Sequence, residues 1–197
     1  MNLRKKIGEK LFGDRVDTII NHILSFLKPG DTIIDLGAGT CLFTKLLRAG
    51  GHSVTPVDIK NRSYYPDIAS TVYDGEHLPF TDETFDACIL IAVLHHTPHP
   101  EAVLKEAVRV SKKLVIYEDA ITNVFQRFYT YLIDSVLNKE LITPRTNKTD
   151  AQWKILFKKI GLRLAKAKYE KSWLILHNPI YFLEKMNNIK SRALLAN

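Results

Sequence analysis

The run Asp35-Leu36-Gly37-Ala38-Gly39-Thr40-Cys41 has the composition of a loop that lets a ligand near its backbone. Gly37 and Gly39 carry no Cβ, so the chain can turn tightly and its peptide groups can be approached closely. Asp58 follows 21 positions after Gly37. A carboxylate there can accept hydrogen bonds from both hydroxyls of a ribose. The two features together imply a nucleoside-containing ligand. Asp35 sets its charge, because an acid beside the loop repels pyrophosphate and favours a cationic or zwitterionic group. A dinucleotide loop also calls for a small residue at position 42, and this chain has Leu42. S-adenosylmethionine (SAM) satisfies these conditions, with a sulfonium, an ammonium and a ribose.

These residues need elements to place them. Val16, Ile19, Ile20, Ile23, Leu24 and Leu27 recur at helical spacing before Pro29-Gly30. Thr32 to Leu36 reads as a strand, Thr40 to Arg48 as a helix, and Ser53 to Val57 as a second strand ending at Asp58. Ile68 to Tyr73 is a third, weaker strand. Phe85 to Leu94 is a continuous apolar run, the mark of a strand buried on both faces. Pro100 opens a helix at its first position, and Lys113 to Tyr117 is a fifth strand. Thr149 and Gln152 have capping-box spacing ahead of Trp153, Leu156, Phe157 and Ile160. Two strands close the chain, about 163–169 and 173–183, the second interrupted at Asn178-Pro179. The alternation predicts an α/β fold: a doubly wound, Rossmann-like, seven-stranded, mostly parallel sheet with helices on both faces. The last strand is antiparallel, since no helix separates it from its predecessor. Residues 1–197 read as a single domain, with 120–148 as a helical substrate cap inserted after the fifth strand.

The 197 residues are 46% hydrophobic and 25% charged, enough to bury a core. No apolar run approaches the ~18–20 residues of a membrane helix. The basic N-terminus is not followed by a secretory apolar stretch, so the protein reads as cytoplasmic. Cys41 and Cys88 are too few for a disulfide framework, and no metal site is expected. The net charge of +7 is uneven: residues 121–197 hold 14 basic and 5 acidic side chains. Such a third could face nucleic acid or an anionic surface. Lys outnumbers Arg there, which fits a solvated surface better than bidentate phosphate contacts.

Several ordered segments resemble the class I SAM-dependent methyltransferases, in particular the type 11 small-molecule group. Asp35-Leu-Gly-Ala-Gly-Thr resembles the family's first motif, and Val57-Asp58 its ribose-binding acid. Asp74-Gly75-Glu76-His77-Leu78-Pro79-Phe80 resembles its adenine-reading segment. Phe85-Asp86-Ala87 through Val93-Leu94-His95-His96 resembles its fourth strand and the turn after it, and Leu104-Lys105-Glu106 through Arg109-Val110 the helix before strand five. The resemblance is firm over about 30–118. It implies that Asp35, Gly37, Ala38 and Gly39 surround the methionine end of SAM, with Ile91 and Ala92 flanking the amino-acid moiety. Asp58 holds the ribose, Ile59 packs on the adenine, and Asp74, Gly75 and Glu76 lie along the adenine edge. S-adenosylhomocysteine would be the product. One departure stands out: the family's third glycine is Cys41, read here as a structural residue.

Methyl transfer from a sulfonium is an in-line displacement, so a base is needed only where the acceptor must lose a proton. His95 and His96, after strand four, have the right titration range for it. One of such a pair can equally be a buried hydrogen-bonding plug. Glu118 and Asp119 end strand five, where an acceptor amine or hydroxyl would lie; capping is their plainer role. Tyr117 and Tyr129 could line an apolar or aromatic acceptor pocket, and Arg127 could hold an acceptor carboxylate. The expected activity is methylation of a small molecule at O, N or C. Nucleic-acid methylation is disfavoured, because Ile91 to His96 (IAVLHH) lacks the Asn/Asp-Pro-Pro-Tyr type of segment. A non-catalytic SAM-binding module is the other alternative.

Overall fold

Short β-branched runs bounded by glycines and acids build the sheet. The computed structural model describes residues 16–121, 146–172 and 176–186. Strands β1 (Thr32–Leu36), β2 (Ser53–Asp58), β3 (Thr71–Val72), β4 (Phe85–Ile91), β5 (Ser111–Tyr117), β6 (Leu162–Ser172) and β7 (Leu176–Lys185) form one sheet in the order β3-β2-β1-β4-β5-β7-β6. β1 to β5 pair in parallel. β7 runs antiparallel to both β5 and β6, as the missing helix between the last two strands predicts. The order reverses between β1 and β4. The carboxyl ends of these strands therefore diverge into the crevice where open α/β sheets hold ligands.

Alternate strand residues feed two cores. Ile34, Leu36, Cys88, Leu90 and Ile116 pack beneath α3 (Pro100–Val110) and α4 (Asp150–Lys159), through Leu104, Ala107, Trp153 and Phe157. Ile33, Ala87, Ile89 and Val115 face the other way, onto α1 (16–24) and α2 (Leu42–Ala49) through Ile19, Ile23 and Leu47. Helices thus cover both faces, and β1, β4 and β5 are buried on both sides. Pro100 stands in the first turn of α3. Thr149 and Gln152 form the full reciprocal capping box of α4. Among the described residues no helix is long and apolar enough to cross a membrane.

Three expectations are corrected. The third strand shrinks from Ile68–Tyr73 to Thr71–Val72, because Tyr65 and Ile68 leave the sheet to bury against Cys41. The fourth strand stops at Ile91, not Leu94, because Ala92 takes a left-handed φ of 56° and the chain turns into a short 3₁₀ segment, Leu94–His96. The last strand is not interrupted at Asn178-Pro179. The Pro179 carbonyl accepts from the Glu118 N–H, and a strand residue's N and C=O point to the same side. The absent N–H of Pro179 therefore faces the end of β5, where the regular ladder has stopped. The proposed cap at 120–148 falls mostly outside the described residues. Its two ends meet in a parallel bridge between Ala120 and Lys148.

Candidate functional site

The glycine loop is fastened at the carboxyl end of β2. The N–H groups of Gly37 and Ala38 donate to the Val57 carbonyl at 2.8 and 3.0 Å. Gly37 has φ 77°, and a Cβ there would lie 2.5 Å from Val93 Cγ2. Only glycine fits between the loop and the turn after β4. Gly39 (φ 50°) donates its N–H to Asp58 Oδ2 at 2.8 Å, and Lys60 N–H reaches Oδ1 at 3.2 Å. Each carboxylate oxygen has about two acceptor positions, so each keeps one for a further donor. That is the arrangement a vicinal diol requires.

Cys41 adopts φ 60°, so the position of the family's third glycine keeps the left-handed backbone although it carries a side chain. The side chain is fully buried against Tyr65 and Ile68, with its sulfur 3.3 Å from Ser70 Oγ. It makes no cap for α2. Asp35 does that work from β1: it accepts from the Thr44 hydroxyl at 2.6 Å and from the Thr44 backbone. Burial pushes the Asp35 carboxyl up to about 6, the Thr44 bonds oppose this, and the nearby Asp58 charge adds to it.

On the far side of Asp58, Ile59 is half exposed, and a Cβ added at Gly75 (φ 90°) would lie 3.5 Å from Ile59 Cγ2. Asp74 Oδ1 accepts the N–H groups of His77 and Glu76, each at 2.7 Å. These bonds hold its carboxyl below the usual range. Glu76 itself is exposed.

The carboxyl ends of β4 and β5 are tied together. Ala92 N–H donates to the Tyr117 carbonyl at 2.8 Å. Glu118, fully buried, accepts from Val93 N–H at 2.9 Å and Leu94 N–H at 2.6 Å through one oxygen, and meets His95 Nδ1 at 2.5 Å through the other. His95 is 2% exposed, while His96 is half-buried with its ring centroid 3.9 Å from that of His95. The three residues singled out for proton transfer are therefore one cluster. Ile91 and Ala92, partly buried, lead into it from the end of β4. Tyr117 is buried in the core on the α1 side. Asp119 accepts from Asn178 Nδ2 with its side chain and from Trp153 Nε1 with its carbonyl. Arg127 and Tyr129 lie outside the described residues. Thr44, Asn178 and Thr146, whose hydroxyl donates to the Leu94 and Thr97 carbonyls beside the histidines, were not visible in the sequence: their partners lie 9, 59 and 49–52 residues away, and no local pattern marks them.

A family model described as "Methyltransferase domain" matches residues 34–116, from within β1 to within β5. Over that stretch the chain is similar to the methyltransferase domain family. A demethylmenaquinone methyltransferase of Corynebacterium glutamicum is 36% identical over 90 residues, 44% of this chain and 39% of that protein. The chain spans only 39–51% of the length of the curated relatives it matches. Two solved structures share the fold. A SAM-dependent methyltransferase of Methanosarcina mazei superposes with a TM-score of 0.66 at 20% identity, covering 83% of this chain and 96% of that one. The magnesium protoporphyrin IX methyltransferase of Synechocystis, solved with bound SAH, gives 0.66 at 15% identity, covering 94% and 88%. The matched stretch takes in the glycine loop, Asp58, the Asp74 turn and the β4 turn. Glu118, α4, β6 and β7 lie beyond the match.

Proposed function

We propose that the chain transfers a methyl group from SAM to a small-molecule acceptor of apolar or aromatic character, leaving S-adenosylhomocysteine. The Gly39–Asp58 junction carries this reading: a Cβ-free loop bonded to a carboxylate that keeps one acceptor position on each oxygen. When bound, SAM supplies a methyl group on a positively charged sulfur. Asp35, Gly37, Ala38, Gly39, Ile91 and Ala92 surround its methionine end. Asp58 takes the ribose, Ile59 the adenine face, and Asp74, Gly75 and Glu76 the adenine edge. The residues fit a cation. A buried acid pushed up to about 6 is a poor neighbour for phosphate and gains a partner when a positive group approaches.

The chain's own work is alignment and exclusion of water. Glu118 fixes the Nδ1 side of His95 and stabilises an imidazolium, which suits His95 as the group that takes a proton from a phenol or hydroxyl. His96 stacks on it. Asp119, Arg127 and Tyr129 are assigned to the acceptor side; Tyr117, buried in the core on the α1 side, is left out of it. The names of the curated relatives support a quinone-related ring as the acceptor class.

Calorimetric titration with SAM, S-adenosylhomocysteine and NAD tests the cofactor. Asp58→Ala should weaken SAM binding by about 1–3 kcal/mol, the cost of charge-assisted bonds left unmade. A folded Asp58→Ala variant with unchanged affinity removes Asp58 from the site, and preference for NAD removes SAM.

A further inference from the structure

The chain holds a residue pair that the chemistry above does not use. Glu106 and Arg109 lie one turn apart near the end of α3, far in sequence from the loop they grip. All five N–H donors of Arg109 are engaged. Nε and Nη2 reach Glu106 at 2.8 and 2.7 Å, Nη2 also reaches the Leu78 carbonyl at 3.0 Å, and Nη1 reaches the Phe80 carbonyl at 2.7 Å and Asp82 Oδ1 at 3.0 Å. Glu106 Oε2 in turn accepts the Leu78 N–H at 2.8 Å. Both backbone polar groups of Leu78 are thus held by side chains of another element. Leu78 follows Gly75 by three residues, and its own side chain is buried.

The segment from Asp74 to Asp82 belongs to no strand or helix. Its first half is shaped by the Asp74 carboxylate and by left-handed Gly75 beside Ile59. Its second half is shaped by Arg109. A planar guanidinium with five fixed donors is suited to holding several carbonyls in one register, which a lysine cannot reproduce. A short unpaired loop gripped this closely has little freedom left at Gly75.

We propose that Glu106 and Arg109 are positioning residues for base recognition: they set the Asp74–Gly75 turn at the height at which it reads the adenine edge. The proposal rests on the SAM reading above and adds to it the residues that make the site selective for the base. Neither residue touches the ligand.

The test compares the affinities of the full chain for S-adenosylhomocysteine and S-inosylhomocysteine, whose bases differ at the 6-position (amino against oxo) and at N1 (acceptor against N–H donor). The wild-type chain should prefer the adenine compound by about tenfold or more, the discrimination of one buried hydrogen bond. Arg109→Gln and Arg109→Lys should bring that ratio close to one. Ile23→Val, which thins the core on the opposite face of the sheet, should leave it unchanged although it lowers the melting temperature. If Arg109→Gln does not fold, Glu106→Gln gives the same reading, because it keeps the arginine and loses the carboxylate that orients it. A ratio preserved in a folded Arg109 or Glu106 variant overturns the proposal while leaving SAM binding intact. Failure of the wild-type chain to bind either compound, or equal affinity for both, overturns the clamp together with the adenine assignment.

Discussion

Asp35 serves the fold and, in the proposed function, also a ligand. It caps α2 from a neighbouring strand, because Cys41 at the helix start offers no side-chain cap. Burial pushes its carboxyl up to about 6 from an ordinary 3.8, so between those values the folded protein holds a proton that the unfolded chain has released. By linkage its contribution to stability falls as pH rises through that window. A cationic ligand prefers the carboxylate, so affinity for SAM should rise as pH rises through about 6. Below that value it should fall by up to about tenfold per pH unit. Titration calorimetry from pH 5 to 8 measures this, and Asp35→Asn should flatten the profile. A wild-type affinity constant across the range takes Asp35 away from the cation.

Between elements, the decisive contact is Val93 against Gly37. The turn after β4 is held by Glu118, the residue after β5, so Val93 has little room to retreat from the loop after β1. Gly37→Ala should cost about 2–4 kcal/mol, combining a left-handed φ with an added carbon 2.5 Å from a fixed methyl. Adding Val93→Ala should recover the steric share and leave the backbone share. Urea midpoints of the two single variants and the double variant separate these shares. A purely additive double variant would show that the two elements do not press on each other. Cys41 and Ala92 also hold left-handed backbone without being glycine, one on each side of the same crevice. Such strain persists only where packing and hydrogen bonds over-determine it, as Ser70 and Tyr117 do here.

For the molecule as a whole, both cores reach the carboxyl edge of the sheet, so occupancy of the crevice should register in global stability. A ligand at 100 times its Kd stabilises the folded state by about 2.7 kcal/mol. For a chain of this size that raises Tm by about 5–10 °C. SAM and S-adenosylhomocysteine should give that shift in a thermal scan, and NAD should give none. The uneven charge belongs to this scale too. The described part of the basic third includes edge strand β6, where Arg163 pairs with Glu184 and Lys166 and Lys168 lie exposed. Lysines on a sheet edge discourage pairing with another chain, a sufficient reason for them without any nucleic acid.

Read alone, the sequence determined whatever depends on neighbours along the chain. It carried the alternation of strands and helices, Pro100 at the start of α3, the Thr149–Gln152 capping box, the antiparallel final strand, and the glycine loop with the acid that ends β2. These rest on periodicity, on backbone freedom and on side chains a few residues apart, all of which are local. Tertiary structure alone decided the rest. It shortened β3 because Tyr65 and Ile68 bury better against Cys41 than in an edge strand, and it ended β4 at Ile91 because Glu118 captures the amides beyond. It gave Asp35 a cap to make, joined Glu118 to His95, and placed Arg109 over Leu78. Each of these contacts joins residues 9 to 31 positions apart. Their energy comes from burial and from polar groups that must find partners once water is gone, and that demand does not exist until the chain has folded.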